Sequence, residues 1–489
     1  MSLIGLFLLV TLYIALFFLS FSFYPPVWPD EILFFSPTND FANNRSLTTP
    51  VLKGMIEGMD IKTLWMPPLY FFYSSIFIQF FGSTLFAVRF GSIFASILCV
   101  FPILGIAKKM GITEKSRLFL AAIMLTDILF FKISSTARME SLCLFFSITS
   151  LYLLYTDLTD FQKYFFSGFF LGLGTISHPF GFIFSFLAVV VTSFRSSFAF
   201  KNLFLMAIGG IIPLLGWGIY IVPNFDIFIL QFGAQLGRKK DLLVSVFTLV
   251  TKIKIILSGF KYPTAKLISL VLLSVILLNL IKYRKLDFEN KKNIIVHSLC
   301  LSIVIGFIFL SSESWYVYYI IPFLSILLCL VFEYGNQIEK GLVSLFLIYN
   351  LVIIGIFINT NFILNSTKDL QETYFNEIYQ YTKYSKKVYL QAIPDPYFYL
   401  SEKNTSIDIR EFIPGELPLS EEFPVKEMAS QDVFIFYNED LIHPFLKNFL
   451  QNNSDLFDRF EINVPTPKGY EYKLFAIIYR KKHKNTLLL

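Results

Sequence analysis

The chain has 489 residues, 55% of them hydrophobic, 18% aromatic and 16% charged, with a formal net charge of +6 and a mean hydropathy of +0.62. Soluble domains carry about a quarter charged residues, so this composition excludes an ordinary soluble enzyme and selects an integral membrane protein. The positive balance is modest and no basic cluster is large enough for a nucleic-acid groove, which excludes nucleic acid and favours membrane lipids and an anionic lipid substrate as partners.

The first apolar run, Leu3 to Phe23, lacks a basic leading region and a small-residue cleavage site, and predicts an uncleaved spanning helix. It ends in Tyr24-Pro25-Pro26 and leads directly into Trp28-Pro29-Asp30-Glu31. Two adjacent carboxylates at the mouth of a membrane helix are costly to hold near lipid, and they point to chemistry or ion binding. Residues 24–83 then predict a first outer loop with interfacial helices. Pro67-Pro68 opens the run Leu69 to Phe81, which is too short to span comfortably, while Trp28, Trp65, Tyr70 and Tyr73 suit the headgroup level.

Further spans are predicted at 84–107, 117–133, 138–156, 163–177, 179–194, 202–222, 264–281, 294–310, 315–332 and 341–361, giving about 11 transmembrane helices. The turns between them carry Lys108-Lys109, Lys115, Arg117, Arg195, Lys201 and a cluster from Lys282 to Lys292, which the positive-inside rule assigns to the cytoplasm. Asp30, the turn Ser134–Glu140, His178 and everything after Phe362 are then expected on the extracytoplasmic face of the plasma (inner) membrane. Cys99, Cys143, Cys300 and Cys329 all lie inside apolar runs, without metal or disulfide spacing.

Residues 223–263 predict an amphipathic outer loop holding Arg238, Lys239 and further lysines. They read equally as lysines snorkelling into anionic headgroups and as a cationic wall for a substrate phosphate. The composition changes near Asn365. A transmembrane region at 1–364 is therefore expected to be followed by a soluble α/β domain at 365–489, with strands near Lys387–Ile393, Val433–Tyr437 and Tyr472–Arg480 and helices near Leu370–Lys386 and Asp440–Leu450.

Asp30, Glu31, Lys132, Arg138, Glu140, His178 and Glu313 fall at one level, at the outer ends of helices. An ion or proton path places its acids and bases near mid-membrane, whereas a lipid-borne substrate presents its phosphate at the headgroup plane. That pattern favours an interfacial enzyme over a carrier.

Asp30-Glu31, Pro67-Pro68-Leu69-Tyr70, Phe86-Ala87-Val88-Arg89-Phe90, Ala137-Arg138-Met139-Glu140 and Gly172-Leu173-Gly174 followed by His178-Pro179 occur in an order that resembles the C-type membrane glycosyltransferases. The branch it resembles contains the protein O-mannosyltransferases and the lipid A aminoarabinose transferases. The likeness covers about the first 180 residues and returns more weakly at Tyr319 to Pro322. It implies inverting transfer of a sugar from a polyprenyl-phosphate donor to a lipid or protein acceptor. It also implies Asp30 as general base, with Glu31 as its neighbour in the catalytic pair, either orienting the site or acting on Asp30 by like-charge repulsion. Arg138, Arg238 and Lys239 are the implied phosphate-binding residues, and Glu140, His178 and Tyr319 the substrate-binding ones. The residues establish no cofactor, and a divalent cation, Mg or Mn, bridged by Asp30 and Glu140 is one option. Trp65-Met66, Glu140 and His178 depart from residues common in that family. His178 also reads as a packing residue, and Arg89, at the outer start of the second span, as a side chain that either snorkels to the interface or pairs with a loop carboxylate. Two other functions fit the same spans: a glycan transferase or ligase using a lipid diphosphate, and a transporter or flippase without chemistry.

Overall fold

The structure, a computed structural model, describes residues 3–195, 200–237, 253–254, 263–283, 286–311, 313–364, 366–412, 428–468, 470 and 472–482. The chain enters as α1 (Leu3–Ser20), which has no charged residue, and turns at the two prolines into α2 (Pro29–Asn44). Sequence patterning does not reveal α2, because Pro37 and several polar residues interrupt it. Pro29 nonetheless sits at the first helical position, where its missing N–H costs nothing. The short run after Pro67-Pro68 forms α3 (Leu69–Phe81), packed between α2 and α4 (Leu85–Lys109).

The predicted third span is broken. It folds as α5 (Glu114–Leu125) and α6 (Ile128–Ser134), separated by Asp127. The buried Asp127 carboxylate accepts the N–H groups of Leu129 and Phe130 at 2.9 and 3.2 Å, satisfying donors that the new helix leaves open. Asp127 is thus a buried ionisable group within a predicted span, outside the set of seven that the sequence places at the outer helix ends. Asp127 lies one α6 length, about 10 Å of helix rise, below the turn that carries Arg138.

Four helices follow: α7 (Glu140–Leu153), α8 (Asp160–Ser177), α9 (Ile183–Arg195) and α10 (Phe200–Ile221). Glycines allow α8 and α10 to touch backbone to backbone. A Cβ on Gly168 would lie 1.9 Å from the Met206 carbonyl oxygen, and one on Gly209 2.0 Å from that of Phe165. Past Ile221 the chain stays helical into α11 (Phe225–Gly237), where an outer loop is expected from residue 223. From α11, Gln231 accepts the Leu64 N–H at 2.8 Å and donates to the Lys62 carbonyl at 2.9 Å, so this helix docks on the first loop. Arg238 and Lys239 lie outside the described residues.

The remaining bundle is α12 (Pro263–Tyr283), α13 (Phe288–Ser311), α14 (Ile321–Tyr334) and α15 (Gln337–Ile358). Each predicted span overlaps described helix, although 117–133 is split at Asp127 and 179–194 and 315–332 begin in 3-10 turns. Among the described residues, five helical stretches are long and apolar enough to cross a membrane by length and composition: Leu85–Lys109, Phe200–Ala234, Phe288–Ser311, Ser314–Tyr334 and Gln337–Phe362.

The tail contributes α16 (Thr367–Thr382), α17 (Tyr397–Lys403) and α18 (Pro444–Asn452) around a five-stranded sheet. Its strands are β1 (Lys387–Gln391), β2 (Asp408–Glu411), β3 (Val433–Phe436), β4 (Phe457–Val464) and β5 (Leu474–Lys481), in the order β2-β1-β3-β5-β4. β1 pairs in parallel with β2 and β3, while β5 runs antiparallel to β3 and β4. Side chains alternate between the faces. Val388, Leu390, Val433, Ile435, Ala476 and Ile478 pack on Tyr374 and Ile378 of α16. Tyr389, Phe434 and Phe436 share a core with Val27, Ile32, Leu52 and Met55 of the first loop. The sheet therefore sits directly on the segment that begins with Asp30.

Candidate active site

Asp30 and Glu31 occupy the first turn of α2 and point to different partners. Glu31 is fully buried. Its Oε1 accepts from Arg89 Nε at 2.9 Å and from the Ala137 N–H at 2.7 Å, and its Oε2 accepts from Arg89 Nη2 at 2.6 Å and from the Trp28 N–H at 3.2 Å. Arg89, equally buried, uses Nη1 to reach the Phe21 carbonyl at 2.7 Å. One ion pair thus ties together the end of α1, the start of α2, α4 and the turn before α7. Both Glu31 oxygens are taken up by these four donors, so the side chain ties the framework of the site together.

Asp30 keeps 43% of its side chain exposed. Its Oδ2 accepts from Arg138 Nη1 at 2.7 Å, and the same guanidinium donates from Nη2 and Nε to Glu140 Oε1 at 2.8 and 3.1 Å. Arg138 is nearly enclosed, with its charge 4.8 Å from the Trp315 ring centroid and 5.7 Å from that of Phe34. Phe34 in turn stacks on Trp65 at 5.7 Å. A buried arginine fixed by aromatic walls therefore holds an accessible carboxylate in one orientation.

The proposed bridging ion does not fit these residues. The Arg138 guanidinium already lies between Asp30 and Glu140, and a divalent cation there would meet a fixed positive charge. Glu140 retains one buried oxygen, Oε2, without a hydrogen-bond partner among the described residues. No group of three or more His, Cys, Asp or Glu side chains among the described residues is arranged to hold a metal.

His178 lies beside this centre but its ring is engaged. Nδ1 accepts from the Phe180 N–H at 3.1 Å, capping a short helix, and Nε2 is 3.3 Å from the Tyr316 hydroxyl. Tyr319 is fully buried and stacks on Phe180 at 4.3 Å, so the structure does not bring this expected substrate contact to the exposed side of Asp30. Packing with Phe180 and Phe184 accounts for its position instead.

The tail meets the same end of the bundle. Lys132 Nζ donates to the Tyr472 hydroxyl at 2.9 Å, Gln371 donates to the Phe23 carbonyl at 2.9 Å, and the Asp395 N–H donates to the Val27 carbonyl at 2.8 Å. Trp28, two residues before Asp30, meets the Tyr472 ring edge-on at 6.3 Å. Sequence reasoning places Arg138, Glu140 and Asp30 at one level. It gives no site role to Trp315, read as the start of a span, or to Tyr472, read as the start of a strand.

Residues 66–217 match the family described as dolichyl-phosphate-mannose-protein mannosyltransferase. Among curated proteins, none matches the chain. The structure is similar to ArnT from Cupriavidus metallidurans bound to undecaprenyl phosphate, with 10% identity, 99% of each chain covered and a TM-score of 0.63. The apo state of the same ArnT aligns over 96% of this chain and 97% of that one, at 10% identity and a TM-score of 0.43. With a segment at 66–217 that matches the mannosyltransferase family model and apolar helices arranged as in ArnT along nearly its whole length, the chain is a helical membrane protein with an ArnT-like fold.

Proposed function

We propose that the protein transfers a sugar from a polyprenyl-phosphate donor to an acceptor hydroxyl, with inversion and with Asp30 as the general base. The observation that carries this reading is the exposed Asp30 carboxylate held at 2.7 Å by the enclosed Arg138. The solved ArnT structure, which holds undecaprenyl phosphate, supports the donor class. As the acceptor oxygen bonds to the anomeric carbon, its proton passes to Asp30. The bond from that carbon to the phosphate oxygen breaks, and the lipid phosphate leaves with the electron pair. Phosphate is already a good leaving group, so the site needs cations there more than a second acid.

Arg138 supplies a positive charge, but two carboxylates already share it. Further neutralisation of the phosphate falls to Lys132, Arg238 or Lys239. The test is transfer from a polyprenyl-phosphate-linked sugar by the full chain in membranes. Asp30→Asn is expected to lower the rate about a hundredfold or more. Full activity in that variant would sink the assignment, and activity with a lipid diphosphate but none with the monophosphate would replace it with the diphosphate reading.

A further inference from the structure

The sheet of the tail covers the first loop with only part of its lower face. Tyr389, Phe434 and Phe436 on β1 and β3 are packed against that loop. On β4 the residues of the same face are Arg459, Glu461 and Asn463, opposite Tyr479, Ile477 and Phe475 of β5. Phe457 and Tyr479 of this half still join the core shared with that loop, and its remainder does not. It forms the floor of a cavity of about 1050 Å³, and Trp28 and Tyr472 stand in its wall. Trp28 is also the residue that precedes α2, two positions before Asp30.

The lining has a definite chemistry. Trp28, Tyr437 and Tyr472 line the cavity with aromatic rings, Lys132 lying 5.5 Å over one face of Tyr472. Asn463 offers an amide that donates and accepts, and Asn438, whose Oδ1 accepts the Asp440 N–H at 2.9 Å, offers its amide donors. Arg459 is bound to Glu439 at 3.0 Å and to Glu461 at 2.7 Å, so its charge is spent within the wall. With Asp440 and Lys473 included, three carboxylates face two cations, and an anionic headgroup would find no net attraction. A sugar ring matches this surface, since its C–H face suits an aromatic plane and its hydroxyl edge suits amides and carboxylates. The volume lies just above the usual range for small-molecule sites, about 300–1,000 Å³, which suits several linked rings better than one hydroxyl side chain.

We infer that this cavity between β4–β5 and Trp28 seats an uncharged oligosaccharide. On the transferase reading above, that oligosaccharide is the acceptor, which delivers its hydroxyl to Asp30 past Trp28. The full chain in detergent is titrated with fluorophore-labelled neutral hexose oligosaccharides, with the same oligosaccharides carrying a phosphate, and with a Ser/Thr-rich peptide. Saturable binding is expected for the neutral sugars, weakened about tenfold by Asn463→Ala and by Tyr437→Ala, and retained in Asp30→Asn. Both replaced side chains are partly or fully exposed, and an unchanged thermal unfolding midpoint checks that the variants are folded. Absence of saturable neutral-sugar binding, preference for the phosphorylated sugars or the peptide, or indifference to both substitutions would overturn the inference. Binding by a protein that shows no transfer would instead overturn the transferase reading and leave the sugar site standing.

Discussion

Arg89 donates to both carboxylate oxygens of Glu31, at 2.9 and 2.6 Å, with neither side chain exposed to solvent. Removing either partner leaves the other as a buried, uncompensated charge, which costs about 3–5 kcal/mol. Glu31→Gln and Arg89→Met are each expected to lower the thermal unfolding midpoint of the purified protein sharply. The double replacement Glu31→Leu with Arg89→Met should recover part of that loss. Scanning fluorimetry in detergent checks this, and a Glu31→Gln protein as stable as the parent would remove Glu31 from its structural role.

Arg138 differs, because its fork acts on an accessible group. Lysine keeps the charge but cannot reach Asp30 and Glu140 together from one planar head. Under the transferase reading, Arg138→Lys should lower the rate by about 10²-fold, while a change confined to KM would mean that it acts on donor binding alone. Steady-state kinetics with varied donor separates the two outcomes.

Much of this arrangement is legible in the chain before folding, though unevenly. Long apolar runs mark the helices of the bundle because a spanning segment must be apolar over most of its length. The strands β1, β3 and β5 show through their β-branched and aromatic residues. The strands β2 and β4 do not, since Asp408-Ile409-Arg410-Glu411 and Phe457-Asp458-Arg459-Phe460 mix charges into the pattern. Asp30 and Arg138 emerge through family likeness, but the pairing of Glu31 with Arg89, 58 positions away, leaves no local trace. Asp127 is hidden for the opposite reason: a single acid in an apolar run looks like a flaw in the run until its capping bonds are seen.

The contact between α8 and α10 depends on the absence of side chains. At Gly168 even a methyl group would overlap the Met206 carbonyl oxygen, which is backbone and cannot swing aside. Gly168→Ala is therefore expected to destabilise the protein by about 1–3 kcal/mol through overpacking. Gly216→Ala, on the same α10 helix with open space around its Cβ, should be close to neutral or slightly stabilising. Equal unfolding midpoints for the two variants would show that the helices do not meet as described.

The tail holds a pair of buried acids, Asp395 and Glu411, at its junction with the first loop. Desolvation pushes the Asp395 carboxyl up to about 7, although the Tyr397 N–H favours its charged form. Burial raises Glu411 well above the usual carboxylate range, and the neighbouring Asp395 charge adds to the effect. Carboxyls in an unfolded chain titrate near 4 (about 3.9 for Asp and 4.3 for Glu). The folded protein therefore holds protons that the unfolded chain has already released, so this pair's contribution is full below about pH 4 and declines as the pH rises toward 7. Glu411→Gln gives the pair a neutral amide that can donate to Asp395, and it should flatten that decline. The unfolding midpoint of Glu411→Gln is expected to gain on the parent steadily from about pH 5 to about pH 8. A constant gap across that range would mean that the two carboxyls do not share a proton in the folded protein.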